Sequence, residues 1–332
     1  MKQAGRLTVA RSRRPVAFLR DRSSKASRRD ARCRGCKFTF FVYIEYRGRG
    51  ASLRRDESRL LIFVHIPRTG GTTLARVLTR QYPARDTLRL YDSDFGAELA
   101  DLTPARIDRL RLVLGHFYFG AHNFIPKPCT YITFLRDPVE RIISHFYYVR
   151  SSPAHYFHEQ SRRLNLAAFV EYCSDNDQTR QLAGRCGVPS ARTNPTEMLE
   201  VAKGNLAEHF VAVGITEDFD RSIVLMKRVL GWRHAFYVRE NVSRDHPRRD
   251  ELSREALDAI RGHNELDLDL YQYARERFRE QIRGQGPSFE RELQRFRTLN
   301  RAYGVLEQVA KKIGAEEVSV AARTFKSRRS HV

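Results

Sequence analysis

No apolar run in this 332-residue chain approaches the roughly 18 residues that cross a bilayer as a helix. The best runs, 38–44 and 60–66, are strand-sized, so a spanning helix is excluded. Cysteine is scarce. Cys33, Cys36, Cys129, Cys173 and Cys186 are odd in number and scattered, which excludes a disulfide scaffold and points to a reducing compartment. Cys33 and Cys36 make a lone CxxC with no second pair and no histidine at finger spacing, so they read as reduced thiols rather than zinc ligands. Cys173 and Cys186 flank a loop-like segment and would pair only on export. Acidic residues are also in deficit, 39 against 60 Lys and Arg, for a formal charge of +21. Residues 1–59 hold 18 basic and 5 acidic side chains, so +13 of that charge sits in the N-terminal arm. Charges interrupt the arm before any apolar core of signal-peptide length, and a cytoplasmic protein is expected.

What is present divides the chain in three. Residues 1–58 read as a basic, disordered arm suited to anionic surfaces, including peripheral contact with an inner membrane. From Arg59 the texture changes to compact apolar runs alternating with amphipathic segments, the pattern of βα units on a parallel sheet. Strands are expected at 60–66 (LLIFVHI), 111–115 (RLVLG), 131–135 (YITFL) and 210–215 (FVAVGI). Helices are expected over 72–81, from Pro138 behind an Asp137 N-cap with Glu140 closing a capping box, and over 217–230. Residues 284–332 form a helical extension. There Phe296, Leu299, Tyr303, Leu306, Ala310 and Ile313 make one stripe, read as packing on its own domain, with a dimeric seam as the alternative.

Ligands of open α/β sheets gather at the carboxyl ends of the strands. After the first strand come Arg68, Thr69, Gly70, Gly71, Thr72 and Thr73, a phosphate cradle in which glycines admit close backbone approach and a helix N-terminus offers free N–H groups. The GxxxxGK[ST] pattern is absent, which argues against a kinase or NTPase. At the second strand's tip stands His116, and after the third comes Arg136, with Asp137, Arg141, Ser144 and Tyr148 on one helical stripe. Arg136 and Ser144 together suit a second anion. A nucleic-acid-binding protein would explain the arm and leave these loops unexplained, so nucleic acid is disfavoured as a partner.

The segments HIPRTGGTT (65–73), GHFYFGAH (115–122) and FLRDPVERIISHFYYVR (134–150), continuing through 205–220, 237–243 and 264–278, resemble the carbohydrate sulfotransferases related to heparan sulfate 2-O-sulfotransferase. The resemblance covers residues 59–283. It implies a P-loop-like three-layer α/β fold with a central parallel sheet. It also implies 3′-phosphoadenosine 5′-phosphosulfate (PAPS) as sulfuryl donor, PAP as product, no metal, and a hydroxyl of a carbohydrate or glycolipid as acceptor. In-line displacement would use His116 as general base and Arg68 as the cation at the leaving group. The loop 68–73 would hold the 5′-phosphosulfate, Arg136 and Ser144 the 3′-phosphate, and Ser243 a loop closing over the nucleotide. His122, Gln178 and Arg180 would meet the acceptor. Relatives commonly carry Lys where this chain has Arg68, whose planar fork reaches differently, and a non-catalytic glycan-binding relative is the reading that this departure raises.

Overall fold

The computed structural model describes residues 59–91, 95–173, 175–184, 194–240, 247 and 249–329, the side chains of 311 and 313–329 excepted. The expectations placed on the arm, on Cys33, Cys36 and Cys186, and on Ser243 lie outside the described residues.

Five strands make one parallel sheet: β1 (Leu60–Val64), β2 (Thr87–Leu90), β3 (Leu112–Gly115), β4 (Cys129–Leu135) and β5 (Phe210–Ile215), in the order β2-β3-β1-β4-β5. β1 pairs with β3 on one side and β4 on the other, Val64 lying opposite both Gly115 and Thr133. Every residue of β1 is buried, as expected of a central parallel strand covered on both faces. The helices are α1 (Gly71–Gln81), α2 (Phe95–Ala100), α3 (Pro104–Arg109), α4 (Pro138–Arg150), α5 (His158–Arg163), α6 (Leu166–Val170), α7 (Asp177–Ala183), α8 (Pro195–Glu208), α9 (Phe219–Val229), α10 (Arg254–His263), α11 (Glu265–Arg283) and α12 (Ser288–Arg329). The chain thus has the expected α/β architecture, a central parallel sheet flanked by helices.

Several local expectations are corrected. β2 was not anticipated, because TLRL is four residues with a central arginine and no apolar run. The helix after β5 starts at Phe219, delayed by a 3₁₀ turn over Thr216–Asp218. Asp137 caps α4 by accepting from the N–H groups of Val139 and Glu140, yet the box is closed by Glu217, which accepts from the Asp137 N–H at 3.0 Å. Glu140 turns back instead to Arg136, 3.6 Å away.

One large core surrounds the sheet, and a smaller one joins α4 to α6 and α10 through Ile142, Phe146, Phe169 and Ile260. The start of α12 belongs to the large core: Phe289, Leu293 and Phe296 are buried, while Lys227 and Arg228 of α9 grip Glu292. The expected stripe therefore packs on its own domain at Phe296, but Leu299 and Leu306 are 44% and 68% exposed. Among the described residues no helix is long and apolar enough to cross a membrane.

Candidate active site

The loops after β1, β3 and β4 converge at the carboxyl edge of the sheet, where β1 stands between strands that the chain reaches later, a topological switch point. The β1 loop is shaped by its backbone. Arg68 has φ 68° and Gly70 φ 81°; the left-handed region is easy for glycine and strained for arginine. Gly70 caps α1 without a side-chain acceptor, and the first turn carries no acid, so the helix N-terminus keeps its positive field. A side chain at Gly71 is excluded by His65, whose ring carbon Cδ2 would lie 2.0 Å from a Cβ there.

The loop is held from outside. Thr69 donates to the Ile66 carbonyl at 2.8 Å, and Thr216 donates to the carbonyls of Thr69 (2.6 Å) and Leu135 (3.0 Å), joining the ends of β1, β4 and β5. Thr73 Oγ1 accepts from the Glu240 N–H at 3.1 Å, and Arg76 pairs with Glu240 at 2.7 Å. Of the three predicted hydroxyls, Thr72 alone is exposed, and it lines the adjoining cavity.

The two predicted anion sites are brought together by Arg68. Its Nε and Nη2 donate to Ser144 Oγ at 3.1 and 2.9 Å, and its guanidinium lies over the Tyr148 ring, 4.5 Å from the centroid. These partners are a hydroxyl and an aromatic face, so no carboxylate among them cancels the charge. Arg136 donates through Nη1 to the Arg68 carbonyl at 3.2 Å. Burial, and then Arg136, lower the Arg68 pKa, while burial lowers that of Arg136 against the pull of nearby carboxylates. Two half-buried cations side by side favour an anion between them.

A cavity of about 420 Å³ opens beside this cluster, lined among others by Arg68, Arg76, Arg89, Tyr91, His116 and Tyr148. His116 is exposed at its mouth, directly after β3, with its N–H bonded to the Leu90 carbonyl at 2.9 Å. His65 lies behind it, 5% exposed, its ring centroid 4.6 Å from that of His116. His145, the residue after Ser144, faces His155 and Phe169 in the smaller core.

The residues expected at the acceptor do not line this cavity. His122 bonds the Tyr131 hydroxyl (2.8 Å) and stacks on His209, next to the starts of β4 and β5 rather than at their carboxyl ends. Gln178 is 1% exposed and holds the main chain of Arg136, accepting from its N–H and donating to its carbonyl, both at 3.0 Å. Arg180 is buried against Asp175, donating to its carboxylate at 2.6 Å and its carbonyl at 2.8 Å. Arg141, expected on one stripe with Asp137, Ser144 and Tyr148, is 2% exposed and pairs with Asp177 at 3.2 Å. Arg89 and Tyr91 were missed, since they sit in and just after a short strand with no motif of its own; Thr216, Glu217 and Glu240 were missed although they lie in the segments 205–220 and 237–243, since nothing local marks them as supports of the β1 and β4 loops.

The sequence profile described as Galactose-3-O-sulfotransferase matches residues 61–307, from β1 into α12. The chain belongs to that family. Its members are PAPS-dependent carbohydrate sulfotransferases, and the family span contains every loop of the cluster above. Heparan sulfate 2-O-sulfotransferase 1 from Xenopus laevis is 23% identical over 205 residues, 54% of this chain and 57% of that protein. The Mus musculus protein of the same name is 22% identical over 206 residues, with 54% and 57% covered. The Gallus gallus one is 28% identical over 131 residues, covering 34% of this chain and 37% of that protein. The chain spans somewhat more than half the length of the Xenopus and mouse relatives and about a third of the Gallus one. Among solved structures, a mouse sulfotransferase, SULT7A1, complexed with PAP aligns at TM-score 0.33 and 17% identity, covering 66% of this chain and 69% of that one.

Proposed function

We propose that this sulfotransferase-family chain transfers the sulfuryl group of PAPS to a hydroxyl of a carbohydrate or glycolipid. The observation that carries the reading is the meeting of Arg68, Arg136, Ser144 and the N-terminus of α1, which has no side-chain cap, beside a cavity that Arg68 and His116 both line. Hydroxyl, guanidinium and free N–H donors fit a phosphosulfate at the 68–73 loop and a 3′-phosphate at Arg136 and Ser144. PAPS supplies an activated S–O bond, whose cleavage leaves PAP as the acceptor oxygen bonds to sulfur.

The protein's part is positional and electrostatic. His116 takes the proton of the acceptor hydroxyl on a ring nitrogen; an imidazole is half-neutral near pH 6.5 and serves as a base without special activation. Arg68 and the α1 N-terminus stabilise negative charge on the leaving phosphate oxygen. Thr69 and Thr216 keep the loop in its strained form, and Gln178 sets the direction of Arg136. The cavity wall offers Arg89, and Arg76 paired with Glu240, with no carboxylate among its described lining residues, so an acidic acceptor sugar suits it.

Calorimetric titration of PAP tests the donor site, with ATP as control and no metal added. Binding by the wild type that is lost in Arg136→Ala is expected, followed by turnover on carbohydrate acceptors that His116→Ala abolishes. A folded wild-type protein that does not bind PAP would overturn the reading, and PAP binding with no turnover on any acceptor would favour the non-catalytic relative.

A further inference from the structure

Three rings form one wall of the cavity: His65 at the end of β1, Tyr91 just after β2 and His116 just after β3. His65 is fixed on every side. Its ring stacks on Phe63 at 5.3 Å, meets Tyr91 edge-on at 5.7 Å and abuts Gly71, while Nδ1 shares a hydrogen bond of 3.1 Å with the Tyr91 hydroxyl. His116 is held edge-on by two of these groups, His65 at 4.6 Å and Tyr91 at 4.9 Å. Packing alone would be met by a phenyl ring at position 65. A hydroxyl-bonded imidazole touching both the donor loop and the ring of His116 calls for a further explanation.

We infer that His65 and Tyr91 are positioning residues for His116: the Tyr91 hydroxyl fixes the tautomer and plane of His65, and His65 in turn fixes the ring of His116 against the donor loop. The inference rests on the reading of His116 as base. An exposed histidine on a strand tip samples several rotamers, and only those that aim a nitrogen at the acceptor hydroxyl are productive. Contact with two immobile rings narrows that set before substrate arrives.

The protonation states agree. Burial, and then His116, hold His65 down to about 3, and burial pushes the Tyr91 phenol up to about 12. The charged and titratable groups that line the cavity with the pair are Arg68 from the β1 loop, Arg76 from α1, itself paired with Glu240, Arg89 from β2 and Tyr148 from α4, with no carboxylate among the described lining residues. The buried ring of His65 is thus kept neutral behind His116.

The test uses the full chain with Tyr91→Phe, His65→Phe, His65→Asn and the double variant Tyr91→Phe/His65→Phe. Asn is chosen because its amide takes the place of Nδ1. Expected are an about tenfold fall in kcat for Tyr91→Phe and His65→Phe, PAP affinity within about twofold of wild type, no further loss in the double variant, and recovery in His65→Asn. Imidazole ¹⁵N–¹H spectra, which need no acceptor, should show His65 as one neutral tautomer from pH 5 to 8. In Tyr91→Phe that tautomer should become mixed and the His116 signals should shift. Unchanged His116 signals and kcat in both single variants would overturn the inference, as would a loss of PAP affinity equal to the loss of kcat. Turnover that survives His116→Ala would instead overturn the reading of His116 as base, and the inference with it.

Discussion

Gln178 holds Arg136 by both of its main-chain groups, at 3.0 Å each, so the direction of an anion-binding arginine is set by a buried amide 42 residues further along the chain. The amide is itself anchored. Asp267 of α11, fully buried, accepts from the N–H groups of Gln178 (3.1 Å) and Thr179 (2.7 Å) and from the Thr179 hydroxyl (2.7 Å). Asn176 returns the favour to α11 by accepting from the N–H groups of Leu266 and Asp267. A helix remote in sequence thereby steadies the β4 loop.

Gln178→Leu keeps the volume of the side chain and leaves both Arg136 main-chain groups without their partner, a cost of about 1–3 kcal/mol each if they stay buried. Lower stability in urea and an about tenfold weaker PAP affinity are expected, since Arg136 loses its fixed direction. Urea titration and calorimetry on the same sample check both.

Gly71→Ala should block the donor loop. A Cβ there lies 2.0 Å from His65 Cδ2 and 2.3 Å from Nε2, closer than any real contact, so either the loop or the imidazole moves. PAP binding should fall about tenfold or more with the far-ultraviolet circular dichroism unchanged. Adding His65→Ala to Gly71→Ala should restore part of the affinity, because it removes the clashing ring.

Arg68→Lys keeps the charge and removes the fork. One ammonium cannot reproduce two bonds to Ser144 together with stacking over Tyr148. An about three- to tenfold fall in turnover is expected, and Arg68→Met should cost far more because the charge is gone. In Tyr148→Leu the penalty of Arg68→Lys should shrink, which a double-mutant cycle measures.

Stability should fall as the solution is acidified from pH 7 to pH 5. Burial holds His65 and His145 down to about 3 in the folded protein, against 6.5 for the free side chain. Below pH 6.5 the unfolded chain binds protons that the native state refuses, so the stability these groups contribute is present above 6.5 and is lost as pH falls toward 3. The loss is up to about 2 kcal/mol per imidazole by pH 5. Urea midpoints at the two pH values check the slope, and His65→Asn should flatten it by about half, leaving the share of His145.

Motif residues and core strands were legible in the chain because their signals are local. An apolar run of strand length, a glycine pair before a helix and the Asp137-Pro138 start of α4 each declare themselves within a few residues. β2 was not legible, since a four-residue strand of TLRL has no periodicity to detect and exists because β3 supplies its ladder. Gln178 and Arg180 were expected at the acceptor from the family resemblance of their segment. Burial and pairing turn them into supports for Arg136 and for the turn at Asp175. His122 looked like a cleft residue because it closes the segment 115–122 that also holds His116, but the 3₁₀ turn over Ala121–Asn123 carries it away to Tyr131 and His209.

By itself the sequence determined the parallel α/β class, the three loops at the strand ends and the charge that these loops bring, because hydrophobic period and turn chemistry act over neighbouring residues. Tertiary structure alone decided which side chains face the cavity. Arg68 reaches Ser144 across 76 residues, Thr216 ties the ends of three strands, and His65 comes to lie behind His116. These contacts depend on how parallel strands line up side by side, a relation that no stretch of the chain carries within itself.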